Sequence, residues 1–190
     1  MTQKKILIYG SREFGRVVRT LVIDCGYSFV GFIDDWESGA EIMGRFEEVL
    51  SRFPPSECQI AIAIGYKDLR ARMEVYRRIK DANYQLARLI HPAAYVRSPE
   101  NISEGAIIMA GAIIDVNAST GALCVIWPGA TLNHDSTLGA NVFLCPNATV
   151  CGYVRIGDNC FIGAGAVVVD HVSVPANTFL KAGAVYFKKP

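Results

Sequence analysis

From Val96 to Leu180 every sixth residue is aliphatic, with Thr120 as the single departure. The series runs Val96, Ile102, Ile108, Ile114, Thr120, Ile126, Leu132, Leu138, Leu144, Val150, Ile156, Ile162, Val168, Val174, Leu180. Four residues after each stands a small side chain, from Ala106 through Cys124 and Ser136 to Ala184, and only Glu100 breaks this second series. A period of six fits neither the 3.6 residues of a helical turn nor the two-residue alternation of a strand. It fits a solenoid in which each hexad makes one short strand and one corner, and three hexads close a triangular coil. The aliphatic side chain fills the interior of the prism, and the small one fits where the chain turns. Fifteen hexads make five coils, stacked at the ordinary strand spacing of about 4.8 Å. Residues 18 apart then lie one above the other. The expected fold of residues 92–190 is a parallel β-helix.

Residues 1–91 read differently. KKILIYG (4–10), FVGFIDD (29–35), CQIAIAIG (58–65) and QLARLIH (85–91) are strand-like. Between them lie helical patterns: Phe14 to Cys25, closed by Gly26; Phe46 to Phe53, stopped by Pro54 and Pro55; and the charged stretch Asp68 to Asp81. Alternation of strand and helix predicts a parallel sheet with helices on its faces. Such sheets bind ligands beyond the carboxyl ends of their strands. Three polar segments fall there: Gly10-Ser11-Arg12-Glu13-Phe14-Gly15, Asp34-Asp35, and Gly65-Tyr66-Lys67-Asp68. A glycine turn before a helix offers free N–H groups to a phosphate. An acidic residue after the second strand can accept from a ribose or a base. The first segment is not a GxGxxG loop, which speaks against a dinucleotide-dependent oxidoreductase. A plain turn, with Asp34 and Asp35 solvated, accounts for it equally.

Composition excludes several classes. The net charge of +1 gives no electrostatic case for nucleic acid or an anionic membrane. With 51% hydrophobic residues a buried core is expected rather than disorder. Six cysteines without a CxxC pair, and three histidines, give no zinc-knuckle pattern and no expected metal. The opening MTQKKILIYG lacks a signal peptide's apolar core and cleavage site. No apolar run approaches the roughly 20 residues that span a bilayer. The expectation is a soluble cytoplasmic protein with free, mostly buried thiols.

The order of these parts, with the stretches ILIYGSREFGRVV, FIDD, IAIG, LIHPAA and LNHDSTLGANVFLCPNATVCGYVRIGDNCFIGAGAVV, resembles the bacterial sugar acyltransferases of the PglD and NeuD type. LNHDSTLG carries the resemblance most specifically. It implies a Rossmann-like nucleotide-sugar-binding domain over 1–91 and a left-handed hand for the β-helix over 92–190. It also implies a homotrimer with active sites between subunits. The implied reaction is acetyl transfer from acetyl-CoA to the amine of a UDP- or GDP-linked 4-amino-deoxy sugar, in surface glycan biosynthesis. O-acetyl transfer to a sugar hydroxyl, as on sialic acid, is the alternative within the class. A non-catalytic nucleotide-sugar-binding subunit is the alternative outside it.

Residue roles follow from the same resemblance. His134, whose side chain points outward at the third position of the Leu132 hexad, is the expected base, since an ammonium cannot attack a thioester until it loses a proton. Asp135 is its expected partner. Adjacent side chains in a strand diverge, so this pairing needs a bend at the corner or a contact across subunits. Gly152, 18 residues on, would offer an N–H to the thioester oxygen, or is simply a corner glycine. Gly163 and Ala164 are small enough to let coenzyme A pass. Lys181, Lys188 and Lys189 could meet its phosphates, or form a solvated basic tail. Gly10, Ser11, Arg12, Asp34, Asp35, Gly65 and Tyr66 are the expected nucleotide-sugar contacts. The chain departs from its relatives in the bulky, charged Ser11-Arg12-Glu13-Phe14 loop, in Tyr66 where Asn is common, and in Phe143 where a second histidine is common. His171, two coils above the base, reads as a surface residue.

Overall fold

The computed structural model describes residues 4–187. The chain divides into two compact units, with the boundary between Leu89 and Ile90.

The first unit is a four-stranded sheet made of β1 (Lys5–Tyr9), β2 (Ser28–Ile33), β3 (Ile42–Gly44) and β4 (Cys58–Ile62). Its order is β3-β2-β1-β4 and every pairing is parallel. Ile6, Leu7 and Ile8 are fully buried, as a central strand covered on both faces requires. Helix α1 (Glu13–Asp24) buries Gly15, Val18, Leu21 and Val22. Gly15 permits the close approach of that helix to the strand, since a Cβ there would stand 2.2 Å from the Gly10 carbonyl oxygen. Gly26, at φ +74°, ends α1, and the Tyr27 N–H donates back to the Val22 carbonyl. Helix α2 (Phe46–Leu50) and helix α3 (Leu69–Asp81) complete the unit. Asp68 caps α3 by accepting from Ala71 N–H at 2.8 Å.

Two expectations need correction here. β3 has no counterpart in the sequence reading, because three residues inside the turn-rich stretch DDWESGAEIMG show no alternation. The expected strand over 85–91 is divided. Leu86 forms a single parallel bridge with Ile60, whereas Leu89–Ile90 is the first strand of a β-helix sheet.

The second unit is a parallel β-helix of two-residue strands arranged in three sheets. Each strand pairs with the one 18 residues away, as Thr131–Leu132 does with Thr149–Val150 above and Ile113–Ile114 below. The aliphatic series and the small series together form one buried cluster, from Ile102 and Ala106 to Val172 and Val174. Burying such an aliphatic side chain stabilises by about 1.5–3 kcal/mol, so repetition alone builds a core. The two buried polar members of these series are satisfied. Thr120 Oγ1 accepts from Ser103 N–H, and Ser136 Oγ donates to the Cys151 carbonyl while accepting from Val154 N–H. Glu100, the outlier of the small series, sits exposed in a 3-10 turn (Pro99–Asn101).

Candidate active site

The third residue after each interior aliphatic, from Gly105 to Gly183, has a left-handed backbone. Glycine and asparagine tolerate that conformation best, and they hold all these positions except Leu123, Asp135, Tyr153 and His171. Leu123 is fully buried and gains from packing. The other three stack above Asn117 on one edge of the prism, the edge that carries His134 and Gly152.

The left-handed turn resolves how neighbours in sequence can pair. At φ +57° the Asp135 carboxylate swings back, and its Oδ2 lies 2.9 Å from His134 Nδ1. Its Oδ1 accepts from Asn117 Nδ2 at 3.0 Å. Hydrogen bonds from His134 and then Asn117 hold the Asp135 carboxyl below the usual carboxylate range. An ionised carboxylate only accepts, so in the neutral imidazole the hydrogen resides on Nδ1 and the Nε2 lone pair is free. The imidazole is 45% exposed and Nε2 has no partner among the described residues. Gly152 stands directly against it. A Cβ built on Gly152 would lie 2.7 Å from His134 Cε1 and 2.8 Å from Nε2. The Gly152 carbonyl accepts from His171 N–H, and its own N–H has no acceptor among the described residues. A free imidazole nitrogen beside a free backbone donor can accept a proton and stabilise an oxyanion, the two needs of acyl transfer.

Gly163, Ala164 and Lys181 occupy a different edge of the prism. Gly163 is buried, and a Cβ there would stand 2.5 Å from Ala182 N, so stacking of the next coil already demands a glycine. Ala164 and Lys181 are exposed. Lys188 and Lys189 lie outside the described residues. No group of three or more His, Cys, Asp or Glu able to hold a metal occurs among the described residues.

In the first unit the sequence-selected residues gather at the carboxyl ends of β1, β2 and β4, where Ser11 and Asp34 bond to each other and Arg12 and Asp35 bond to other residues. Asp34 Oδ2 accepts from the Ser11 N–H and hydroxyl, and Oδ1 from the N–H groups of Trp36 and Glu37. Burial alone would raise the Asp34 pKa, yet these bonds outweigh it and hold the carboxyl low. Four donors fill both oxygens, so a ribose could reach Asp34 only by displacing one of them. Arg12 pairs with Glu37 at 2.7 Å. A cavity of about 710 Å³ opens beside this loop, lined in part by Ser11, Arg12, Glu13, Arg16, Phe32 and Glu37. Gly65 and the exposed Tyr66 begin a 3-10 turn that leads into α3.

Asp35 faces the other way. Its Oδ2 accepts from Tyr9 Oη at 2.6 Å and Arg78 Nη1 at 2.8 Å, and its Oδ1 from Phe46 N–H. Burial pushes against ionisation, but the bonds from Arg78 and Tyr9 hold Asp35 below the usual carboxylate range. A depressed folded pKa gives stability that is present above the unfolded value of about 3.9 and lost as pH falls through the folded value. Replacing Arg78 by methionine is therefore expected to cost about 1–2 kcal/mol at pH 7, a figure discounted for the exposure of the guanidinium. The wild-type and variant urea curves should converge as pH falls through the folded Asp35 value, below about 3.9.

The sequence reading missed Arg78, Asn117 and Tyr153, and passed over His171 as surface. A step of 18 from Asp135 in either direction reaches Asn117 and Tyr153, and a second upward step reaches His171. It also missed Arg72, fully buried and bonded to the Ile62 and Ile64 carbonyls.

Comparison with known proteins agrees with this layout. Residues 5–79 match the PglD N-terminal domain, and residues 153–185 match the hexapeptide repeat of succinyl-transferase. The acetyltransferase domain of PglB from Neisseria gonorrhoeae is 27% identical over 97% of this chain and 92% of its own, with a TM-score of 0.88, and has also been solved with acetyl coenzyme A. PerB from Caulobacter crescentus, solved with CoA and GDP-perosamine, is 30% identical over 98% of this chain and 90% of its own, with a TM-score of 0.87. WeeI from Acinetobacter baumannii, at 20% identity and a TM-score of 0.74, shares the fold. The second unit is accordingly a left-handed parallel β-helix, and the chain as a whole belongs to the PglD/NeuD-type family of hexapeptide-repeat sugar acyltransferases.

Proposed function

We propose that the protein transfers an acetyl group from acetyl-CoA to the amine of a nucleotide-linked amino sugar, with His134 as general base. One observation carries this reading: a free Nε2, its tautomer set by Asp135, lies against a glycine whose N–H is also free. The complexes of PerB with GDP-perosamine and of the PglB domain with acetyl coenzyme A support the substrate classes.

The sugar ammonium gives one proton to bulk water and so becomes a nucleophile. Its nitrogen attacks the thioester carbonyl carbon while Nε2 takes the second proton, a contribution of about 10²–10⁴-fold. Negative charge forms on the carbonyl oxygen, where the Gly152 N–H donates, worth about 3 kcal/mol of barrier. The carbon–sulfur bond then breaks, and the imidazolium returns its proton to the departing thiolate. Asp135 stabilises the imidazolium and keeps the ring in register.

The test is to incubate the protein with acetyl-CoA and separately with UDP-, GDP- and dTDP-linked 4-amino sugars and with sialic acid, following free thiol. Thiol release with an amino sugar, giving an amide product, is expected. Release with sialic acid alone, or with none of them, would overturn the reading.

A further inference from the structure

We propose that Tyr153 is a positioning residue for the His134 imidazole, backed in turn by His171 and Asp170; the proposal rests on His134 being the base. Tyr153 has φ +58°, a left-handed backbone in which a bulky aromatic is a conformational outlier. Most corners of this β-helix solve the same turn with glycine or asparagine. Leu123, also left-handed, is fully buried, whereas Tyr153 is 53% exposed and gains no comparable packing. Its ring therefore needs another reason to be there.

The contacts supply one. The Tyr153 ring meets the His134 imidazole edge to face, with centroids 5.3 Å apart and planes at 88°. Its backbone N–H donates to the His134 carbonyl at 3.2 Å, a bond that other corners of the β-helix also make, so the ring contact is what sets Tyr153 apart. The other side of the ring stacks on His171, at 4.7 Å and 26°. His171 is fixed by Asp170, whose Oδ2 lies 2.8 Å from its Nδ1. Asp170, His171, Tyr153 and His134 thus form a continuous line of contacts along one edge. Gly152 must lack a side chain to admit the acyl group, so it cannot restrain the imidazole beside it. Tyr153, the next residue, provides the restraint that Gly152 cannot. A base whose ring turns freely spends part of its time with Nε2 misdirected, which lowers kcat more than substrate affinity.

The experiment compares Tyr153→Asn, Tyr153→Phe, His171→Ala and the Tyr153→Asn/His171→Ala double variant in the full chain. The probes are acetyl-CoA and the best amino-sugar acceptor. Asparagine suits the left-handed backbone, so Tyr153→Asn should keep or raise Tm. Its kcat should fall about tenfold with both KM values within about twofold. Tyr153→Phe restores the ring and should recover kcat to within about threefold of wild type. His171→Ala should lower kcat about two- to threefold, with no further loss in the Tyr153→Asn background, because it acts through that ring. A Tyr153→Asn enzyme with wild-type kcat, or a His171→Ala loss that multiplies fully in the double variant, would overturn the proposal. Should Tyr153→Asn fail to fold, Tyr153→Gly serves under the same criteria. His134→Ala in the same assay separates the two levels. Wild-type turnover there removes the base itself, whereas a silent His134→Ala beside an unaffected Tyr153→Asn removes only the role given to Tyr153.

Discussion

Replacing His134 by alanine is expected to lower kcat by about 10³-fold while leaving the β-helix intact. The side chain projects outward and is 45% exposed, so no core packing is lost, and exposed substitutions of this kind shift stability by only about 0.5 kcal/mol. Loss of turnover at unchanged Tm therefore reports chemistry rather than unfolding. Steady-state kinetics, with Tm measured alongside, checks both. Wild-type turnover in the variant would mean that another group takes the proton.

The β-helix was legible in sequence because a narrow prism tolerates one kind of interior side chain, and it demands that kind every six residues. No comparable repetition marks the first unit. β3 is three residues long and its partner strand, not its own pattern, makes it a strand. Asp34 shows a different kind of illegibility. An acid after the second strand suggests a ligand contact, but the fold brings Ser11 back across 23 residues to fill it. Arg72 reads as part of a charged helix, yet its spacing from Val75 and Ile79 puts it on the buried face, where it satisfies two carbonyls at the end of β4. At the prism edge the informative signal was negative. Where the other two edges place Gly or Asn at every such turn but the buried Leu123, this edge places Asp135, Tyr153 and His171. In the proposed mechanism, these residues that a turn does not want mark where function outweighs conformational preference.

Gly152→Ala gives the second large effect, because a single methyl group separates the two explanations of this glycine. A corner glycine kept for the fold would fail by meeting backbone. Gly157 is such a case, since its Cβ would stand 2.5 Å from Ala176 N and 2.8 Å from Ala176 Cα. Gly157→Ala is expected to lose about 1–3 kcal/mol of stability while each folded molecule turns over normally. At Gly152 the three nearest atoms all belong to the His134 ring, at 2.7, 2.8 and 3.3 Å. Its φ is also outside the left-handed region, so alanine carries no backbone penalty. The fold can therefore accept the methyl group, and only the imidazole must move. Moving it breaks the alignment with Asp135 and carries Nε2 away from the Gly152 N–H, the proposed oxyanion donor. We expect kcat to fall about 10²-fold or more with Tm unchanged or slightly raised, since both groups of the reaction are disturbed by one atom. Urea denaturation and steady-state assays on the two variants make the comparison direct. If Gly152→Ala kept wild-type kcat, the acyl group would have to lie away from this edge, because an enzyme reacting here could not ignore a carbon atom placed against its base.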